Sequence, residues 1–281
     1  MQKKIACISL DIESDLRDPE GRIRLFDDNR LMECFGKIIH EHGVRMTGFL
    51  VTSLIESYGS TLKGLNEQFP IEFGVHSHDH DTDNACSRDQ IHQAVDTFRT
   101  FWGFSPTGYR APNGLINPEG IHHLMDYAFQ YDSSIFPSIR FDEYGYSNLR
   151  FPMDPFLFVH GNQSLMEMPL ACLKGLRLVF SLSHVKLLGW TFYRILMMFF
   201  PLPKVVILNM HPYDFYIPLI SKHIKGWKKI AHMRNANNAF DIFNLILNTL
   251  INKGYEFMFM SELNHYLRED QTLKKLPLDE K

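Results

Sequence analysis

The stretch Ile71-Glu72-Phe73-Gly74-Val75-His76-Ser77-His78-Asp79-His80 decides how this chain is read. Its first half is a short apolar run behind Pro70, which reads as a strand. Its second half brings three imidazoles within five residues. Histidine is the commonest neutral metal ligand, and a zinc-type site takes about three protein ligands with one position left for water. His76 and His80 stand four apart, so a curled loop turns both rings the same way. His76 and His78 would share a side only in extended backbone. A lone pair of histidines in a polar loop is usually a turn and nothing more. Here Ser77 and Asp79 can brace the loop, and matching acids lie elsewhere in the chain.

Working outward, an apolar run that ends in polar residues recurs. Residues 4–10 read as a strand ending at Asp11-Ile12-Glu13-Ser14-Asp15, followed by a helix over about 29–42 with Gly43 as its cap. A strand at 46–51 and helical pieces over 52–69 precede the histidines. Ser87 then caps a helix to about Trp102. Thr107-Gly108-Tyr109 runs into Arg110-Ala111-Pro112-Asn113-Gly114, and Asn117-Pro118-Glu119 opens another helix. Phe129-Gln130-Tyr131 runs into Asp132-Ser133-Ser134, and residues 135–168 read as irregular strands, hairpins and loops. The strongly apolar run 205–210 ends at His211-Pro212. A helix to about Asn252, a strand over 255–260 and a short helix from Ser261 follow. Strand and helix alternate, which predicts an α/β chain with a mainly parallel sheet, open or closed into a barrel. Asp11, His76, Arg110, Asp132 and His211 all stand at strand ends, the face that holds the active site in α/β barrels.

The 281 residues suit one catalytic domain over 1–268, with a charged, loose tail at 269–281. A net charge of −3 and the lack of a basic stripe argue against nucleic acid. Cys7, Cys34, Cys86 and Cys172 form no Cys-x-x-Cys pair and read as reduced thiols of a cytosolic protein. The N-terminal apolar run is six residues long and ends at Asp11, too short for a secretion signal, so a cytoplasmic location is expected. Residues 187–200 are the most membrane-like piece, but they are too short to span, carry Arg194 and stop at Pro201. A buried helix is the expectation there, with contact to a lipid-linked substrate as the sharper alternative.

If Glu13, His76 and His80 hold a divalent metal, one carboxylate and two imidazoles leave an open face for hydrolysis. Such a metal lowers the pKa of a bound water toward about 7 and polarises a carbonyl. Asp11 could take the proton, Arg110 could keep Asp11 ionised, and His211 could protonate a leaving amine, with Asp132 as its partner. Together these make a kit for amide hydrolysis. Taken singly, each piece reads as a cap or a turn; joint placement at successive strand ends does not.

Five pieces in order carry a resemblance: Ser9-Leu10-Asp11-Ile12-Glu13, His76-Ser77-x-x-His80, Tyr109-Arg110-Ala111-Pro112, Tyr131-Asp132-Ser133-Ser134-Ile135-Phe136-Pro137 and Leu208-Asn209-Met210-His211-Pro212. The sequence resembles the polysaccharide deacetylases, carbohydrate esterase family four. The resemblance covers roughly residues 4–266 and implies a deformed (β/α) barrel of fewer than eight, mainly parallel strands. It implies a divalent metal, zinc by default, on Glu13, His76 and His80. It makes Asp11 the base, Arg110 its tether, His211 the acid and Asp132 a supporting residue. The backbone N–H of Asn113 would assist the oxyanion. Many members carry two adjacent aspartates where this chain has Asp11-Ile12-Glu13, which leaves Glu13 or Asp15 as the acidic ligand. An aromatic residue is frequent where Asn113 stands. The expected activity is removal of an N-acyl group, most simply acetyl, from an amino sugar in surface-glycan or precursor metabolism. The alternatives are a carbohydrate-binding barrel without turnover, or a deacylase or deformylase of a lipid-linked sugar or non-sugar amide.

Overall fold

Strand β1 (Lys4–Ile12) shows how alternation becomes a fold. Its even residues Ala6, Ile8, Leu10 and Ile12 are buried in a cluster with Phe35, Ile39, Phe243 and Ile246, all supplied by helices. Its odd residues Ile5 and Cys7 join Phe49, Tyr131, Met166 and Ile207 in a second cluster on the other face. The computed structural model describes residues 3–16, 18, 20–141, 144–216 and 226–278, apart from the side chains of 227, 228, 230 and 231.

A parallel run of seven strands leads from β10 (Val205–Met210) through β1, β2 (Met46–Leu50), β3 (Ile71–Val75), β4 (Gly108–Tyr109) and β5 (Tyr131–Asp132) to β9 (Gln163–Glu167). β11 (Tyr255–Phe257) pairs with β1 as well, and β8 (Phe156–His160) runs antiparallel to β9. β6 (Ile139–Arg140) and β7 (Tyr146–Ser147) make a separate hairpin. Beyond β9 the chain continues across the gap between the two ends of the run: Met168 N–H donates to Asp132 O at 2.9 Å and Ala171 N–H to Ile207 O at 3.0 Å. The sheet thus curls toward a barrel without a closed ladder. The expected mainly parallel, barrel-like α/β fold is what the chain adopts, but the expectation of fewer than eight strands is corrected: with β8, β11 and β12 the sheet holds ten. At Gly108 no side chain is possible, because a Cβ there would lie 2.2 Å from the Tyr131 ring.

The helices pack outside. α1 (Arg24–Asp27) leads to α2 (Asn29–Glu41), whose cap Asp28 accepts from the N–H groups of Arg30 and Leu31. α3 (Ile55–Gln68) and α4 (Arg88–Trp102) follow, α4 with the expected Ser87 cap and Gly103 in the left-handed region beyond it. α5 (Pro118–Asp126) opens on Asn117, whose side chain accepts from Gly120 N–H. α6 (Leu182–Leu188) and α7 (Trp190–Phe199) are divided by Gly189 at φ 94°. α8 (Gly226–Met233), α9 (Ala239–Asn252) and α10 (Met260–Arg268) complete the set among the described residues.

Two further expectations are corrected. Lys274–Pro277, assigned to a loose tail, form strand β12 beside β8, and Leu278 is buried behind it. The rest of that assignment, residues 279–281, lies outside the described residues. The apolar segment at 187–200 is also not a buried helix throughout: Gly189 breaks it, and α7 buries Tyr193 and Met197 while leaving Phe192, Ile195, Met198 and Phe199 exposed.

Candidate active site

The odd file of β1 changes character along its length. Ile5 and Cys7 are apolar and give way to buried Ser9, Asp11 and, just past the strand, Glu13. Asn209 at the end of β10 stands opposite Ser9, and His211 follows it. Polar groups therefore collect at one end of an otherwise apolar interior, as in barrels whose active sites sit at the C-terminal strand ends.

The loop after β3 is curled. Ser77 and His80 both take left-handed backbone, φ 62° and 61°, and His80 N–H donates to Ser77 Oγ at 3.1 Å. This turn sets the rings of His76 and His80 5.1 Å apart. His78 faces elsewhere, its Nδ1 2.9 Å from Thr52 Oγ1. His76 Nδ1 donates to Arg110 O at 2.7 Å, which leaves the Nε2 lone pair directed at Glu13 Oε2, 3.5 Å away. His80 Nε2 closes on the same oxygen. Ligand atoms of Glu13, His76 and His80 all lie within 4.8 Å of one another. Glu13 Oε2 is buried and accepts no hydrogen bond among the described residues, as expected of an oxygen facing a cation. The donor set fits a divalent metal ion. Although burial opposes it, the His80 charge above all, with His76 and His211 beside it, holds the Glu13 carboxyl well below the usual range. Asp15 is not part of this group: its Oδ2 accepts from Arg24 N–H at 3.0 Å, and burial pushes its carboxyl up to about 6.

Arg110 is fully enclosed. Its Nη1 donates to Asp11 Oδ1 at 2.7 Å, Ser9 Oγ at 2.8 Å and Asn209 Oδ1 at 3.2 Å. Its Nη2 donates to Ser133 Oγ at 2.8 Å and its Nε to Ser133 O at 2.9 Å, while the guanidinium lies 4.3 Å from the Phe49 ring centre. Burial would raise Asp11, but Arg110 above all, with His76 and His211, holds its carboxyl below the usual value. His211 Nε2 lies 3.7 Å from Asp11 Oδ2.

The partner of His211 is not Asp132. Asp214 Oδ2 faces His211 Nδ1 at 3.4 Å and accepts the His211 backbone N–H at 2.9 Å. Asp214 is in turn fixed by Lys186 Nζ at 3.2 Å and Ser183 Oγ at 2.9 Å, both from α6. Burial alone would lower His211; the Asp214 hydrogen bond and the charges of Glu13, Asp214 and Asp11 outweigh it and push the imidazole to about 9. Asp132 instead accepts from Ser134 Oγ at 2.6 Å, and Ser134 Oγ accepts Ala111 N–H at 2.8 Å, so it braces the turn after Arg110. Beside Asp132 across the β5–β9 ladder stands Glu167, whose Oε1 accepts Ile135 N–H at 3.0 Å. Burial raises both carboxyls, Glu167 the more. Asn113 is left-handed at φ 55°, with its carbonyl 3.1 Å from Arg140 Nη1.

The fold places Asp11, Glu13, His76, His80, Arg110 and His211 together, as the sequence reading expected, and adds Asp214, Lys186 and Glu167, which that reading did not assign. Asp214 had a signal, since an acid three residues after a residue at a strand end can cap it. A single acid in the apolar run of β9 was Glu167's faint one.

An acid and two histidines at the open end of a curved parallel sheet define the class, an α/β barrel-like protein with a candidate metal centre. Residues 24–131 match the family model of polysaccharide deacetylase, which bears out the resemblance read from the motifs. That segment takes in His76, His80, Arg110 and Asn113, while Asp11, Glu13 and His211 lie outside it. No curated protein sequence matches the chain. Among solved structures, the fold is similar to a polysaccharide-deacetylase-like protein of Mycobacterium smegmatis (TM-score 0.60, 16% identity, covering 100% of this chain and 96% of that one). It is also similar to the 4-alpha-glucanotransferase of Thermococcus litoralis (TM-score 0.59, 14% identity, 96% of this chain and 39% of that one). A third is a CE4 family pseudoenzyme from Bacillus anthracis (TM-score 0.52, 12% identity, 94% of this chain and 66% of that one). At such identities the likeness speaks for the fold alone.

Proposed function

We propose that the protein is a metal-dependent hydrolase that removes an N-acyl group, acetyl foremost, from an amino sugar of a surface glycan or its precursor. The observation that carries this reading is the convergence of Glu13, His76 and His80 on one point, beside Asp11 and His211. Glu13, His76 and His80 would hold the cation, zinc by the type of ligand. When bound, it supplies Lewis acidity, polarising the amide carbonyl and lowering the pKa of water toward about 7.

The protein's own groups divide the proton work. Arg110 occupies Asp11 Oδ1 and leaves Oδ2 open on the His211 side, so Asp11 is the base that receives the proton of the attacking water. His211, with Nδ1 toward Asp214, presents Nε2–H to the departing amine, and its raised pKa keeps that proton in place at neutral pH. The main-chain N–H of Asn113 would donate to the developing oxyanion. Four free cysteines favour a reducing compartment, and we assign the reaction to the cytoplasm.

The test is metal content by elemental mass spectrometry together with acetate release from N-acetylated amino-sugar oligomers. About one equivalent of metal is expected in the wild type, lost in His76→Ala and His80→Ala with the fold intact. Chelation should abolish acetate release and added zinc should restore it. A folded protein that takes up no metal after reconstitution would overturn the proposal in favour of a carbohydrate-binding barrel. Formate in place of acetate would shift the acyl group, not the mechanism.

A further inference from the structure

Helix α7 is apolar on two opposite faces. Tyr193 and Met197 are buried beneath it, while Phe192, Ile195, Met198 and Phe199 are 45%, 50%, 77% and 71% exposed. At about 100° per residue these four fall within roughly a third of the helix circumference, so they form one strip. Leu176, 45% exposed, adjoins the strip's C-terminal end, because Lys174 N–H donates to Pro201 O at 2.9 Å and Gly175 packs against Phe200. A helix apolar all round belongs in apolar surroundings, and only half of α7 has them.

The stretch of sequence that carries the strip is one-sided in charge. Between Met168 and Phe240 the chain carries ten lysines and arginines against a single acid, in a molecule of net charge −3. That acid, Asp214, is buried against Lys186. Arg194 is exposed on α7 and borders the strip, and exposed Lys204 lies just beyond the helix. Exposed Arg234 stands next to Asn235, whose Nδ2 donates to Lys186 O at 2.7 Å near the α6–α7 junction. An apolar strip rimmed by cations is the pattern of an interfacial helix, whose charges meet anionic headgroups. Among the described residues no helix is long and apolar enough to cross a membrane. A second copy of the chain would cover the apolar strip but would set two cationic rims against each other.

We propose that α7 docks this protein peripherally on an anionic lipid bilayer, with the Phe192, Ile195, Met198 and Phe199 strip inserted among the acyl chains. Because α6, joined to α7 through Gly189, carries the Ser183 and Lys186 that hold Asp214, docking brings His211 close to the membrane surface. An amino sugar on a lipid carrier is then the substrate class the site meets there. That last step rests on the proposed deacylase reading; the docking does not.

The test is co-sedimentation of the full metal-loaded chain with phosphatidylcholine vesicles, with and without phosphatidylglycerol. The expected result is binding to the anionic vesicles, weakened by salt and reduced about tenfold or more in Ile195→Glu/Phe199→Glu. Arg194→Glu should weaken binding to the anionic vesicles alone, and it leaves apolar packing untouched if the double variant fails to fold. Acetate release from a water-soluble substrate should be unchanged in these variants. Absence of vesicle binding by folded protein overturns the proposal. So does a dimer, by light scattering without lipid, that the double variant dissociates. Vesicle binding without any acyl release would sink the deacylase reading and leave the docking intact.

Discussion

Arg110 and Asp214 do the same work on opposite sides of the site: each fixes the protonation of one reactive group. The Arg110 fork satisfies Asp11, Ser9, Asn209 and Ser133 at once, which a lysine's point charge could not. Asp11 is thereby a carboxylate at any working pH. Asp214, itself held ionised by Lys186 against its burial, does the converse for His211. A histidine raised to about 9 is protonated below that value and loses its proton above it. Acyl release should therefore hold through neutral pH and fall above about 9. Asp214→Asn keeps an acceptor but removes the charge, so the alkaline fall should move to lower pH and the plateau drop by about tenfold to a hundredfold. A pH profile of kcat/KM reads both effects, and an unmoved alkaline limb would separate Asp214 from the acid's function. Asp11, Arg110 and His211 were legible in the sequence as residue types at strand ends, whereas Lys186, on a helix, was not. The partner of His211 was misread because Asp132 and Asp214 carry the same chemistry, and only the fold shows which one is in reach.

At the level of elements, strands and their caps were legible where local physics dominates. Ser87, Asn117 and Gly103 punctuate the chain as their side chains or backbone freedom require. β12 was not legible, because Lys274-Lys275-Leu276-Pro277 has the charge and the proline of a loose tail. Those same residues suit an edge strand, where lysine and proline block further pairing. Leu278 anchors it, with its N–H donating to Val159 O at 2.9 Å and its side chain in the cluster with Phe156 and Phe158. Leu278→Ala should cost about 2 kcal/mol, the low end for a buried leucine because an edge site relaxes easily. That predicts a midpoint lower by roughly 3–4 °C in thermal unfolding for a chain of this size. A loose tail would leave the midpoint where it was.

For the whole molecule, what sequence could not supply is the curl of the sheet. It depends on hydrogen bonds from Met168 and Ala171 to strands far away in the chain, and no local pattern encodes them. The place where β9 meets β5 is also where two buried carboxyls, Asp132 and Glu167, face each other. Asp132 Oδ2 and Glu167 Oε2 are each buried without a donor among the described residues, so one proton between them completes the contact. Burial and the Asp132 charge raise Glu167 well above its ordinary 4.5, so the folded protein keeps a proton that the unfolded chain releases. Where the folded state binds more protons, stability falls as pH rises. This junction therefore weakens progressively from about pH 4.5 upward, until the folded group titrates too. Glu167→Gln replaces the shared proton with a permanent N–H toward Asp132 and keeps an oxygen for Ile135 N–H. The variant should gain on the wild type as pH is raised from about 5 to 9, a gap read by urea unfolding at each pH. A gap that stays constant across that range would mean that the proton is not held at this junction, and that the curl is secured by the backbone bonds alone.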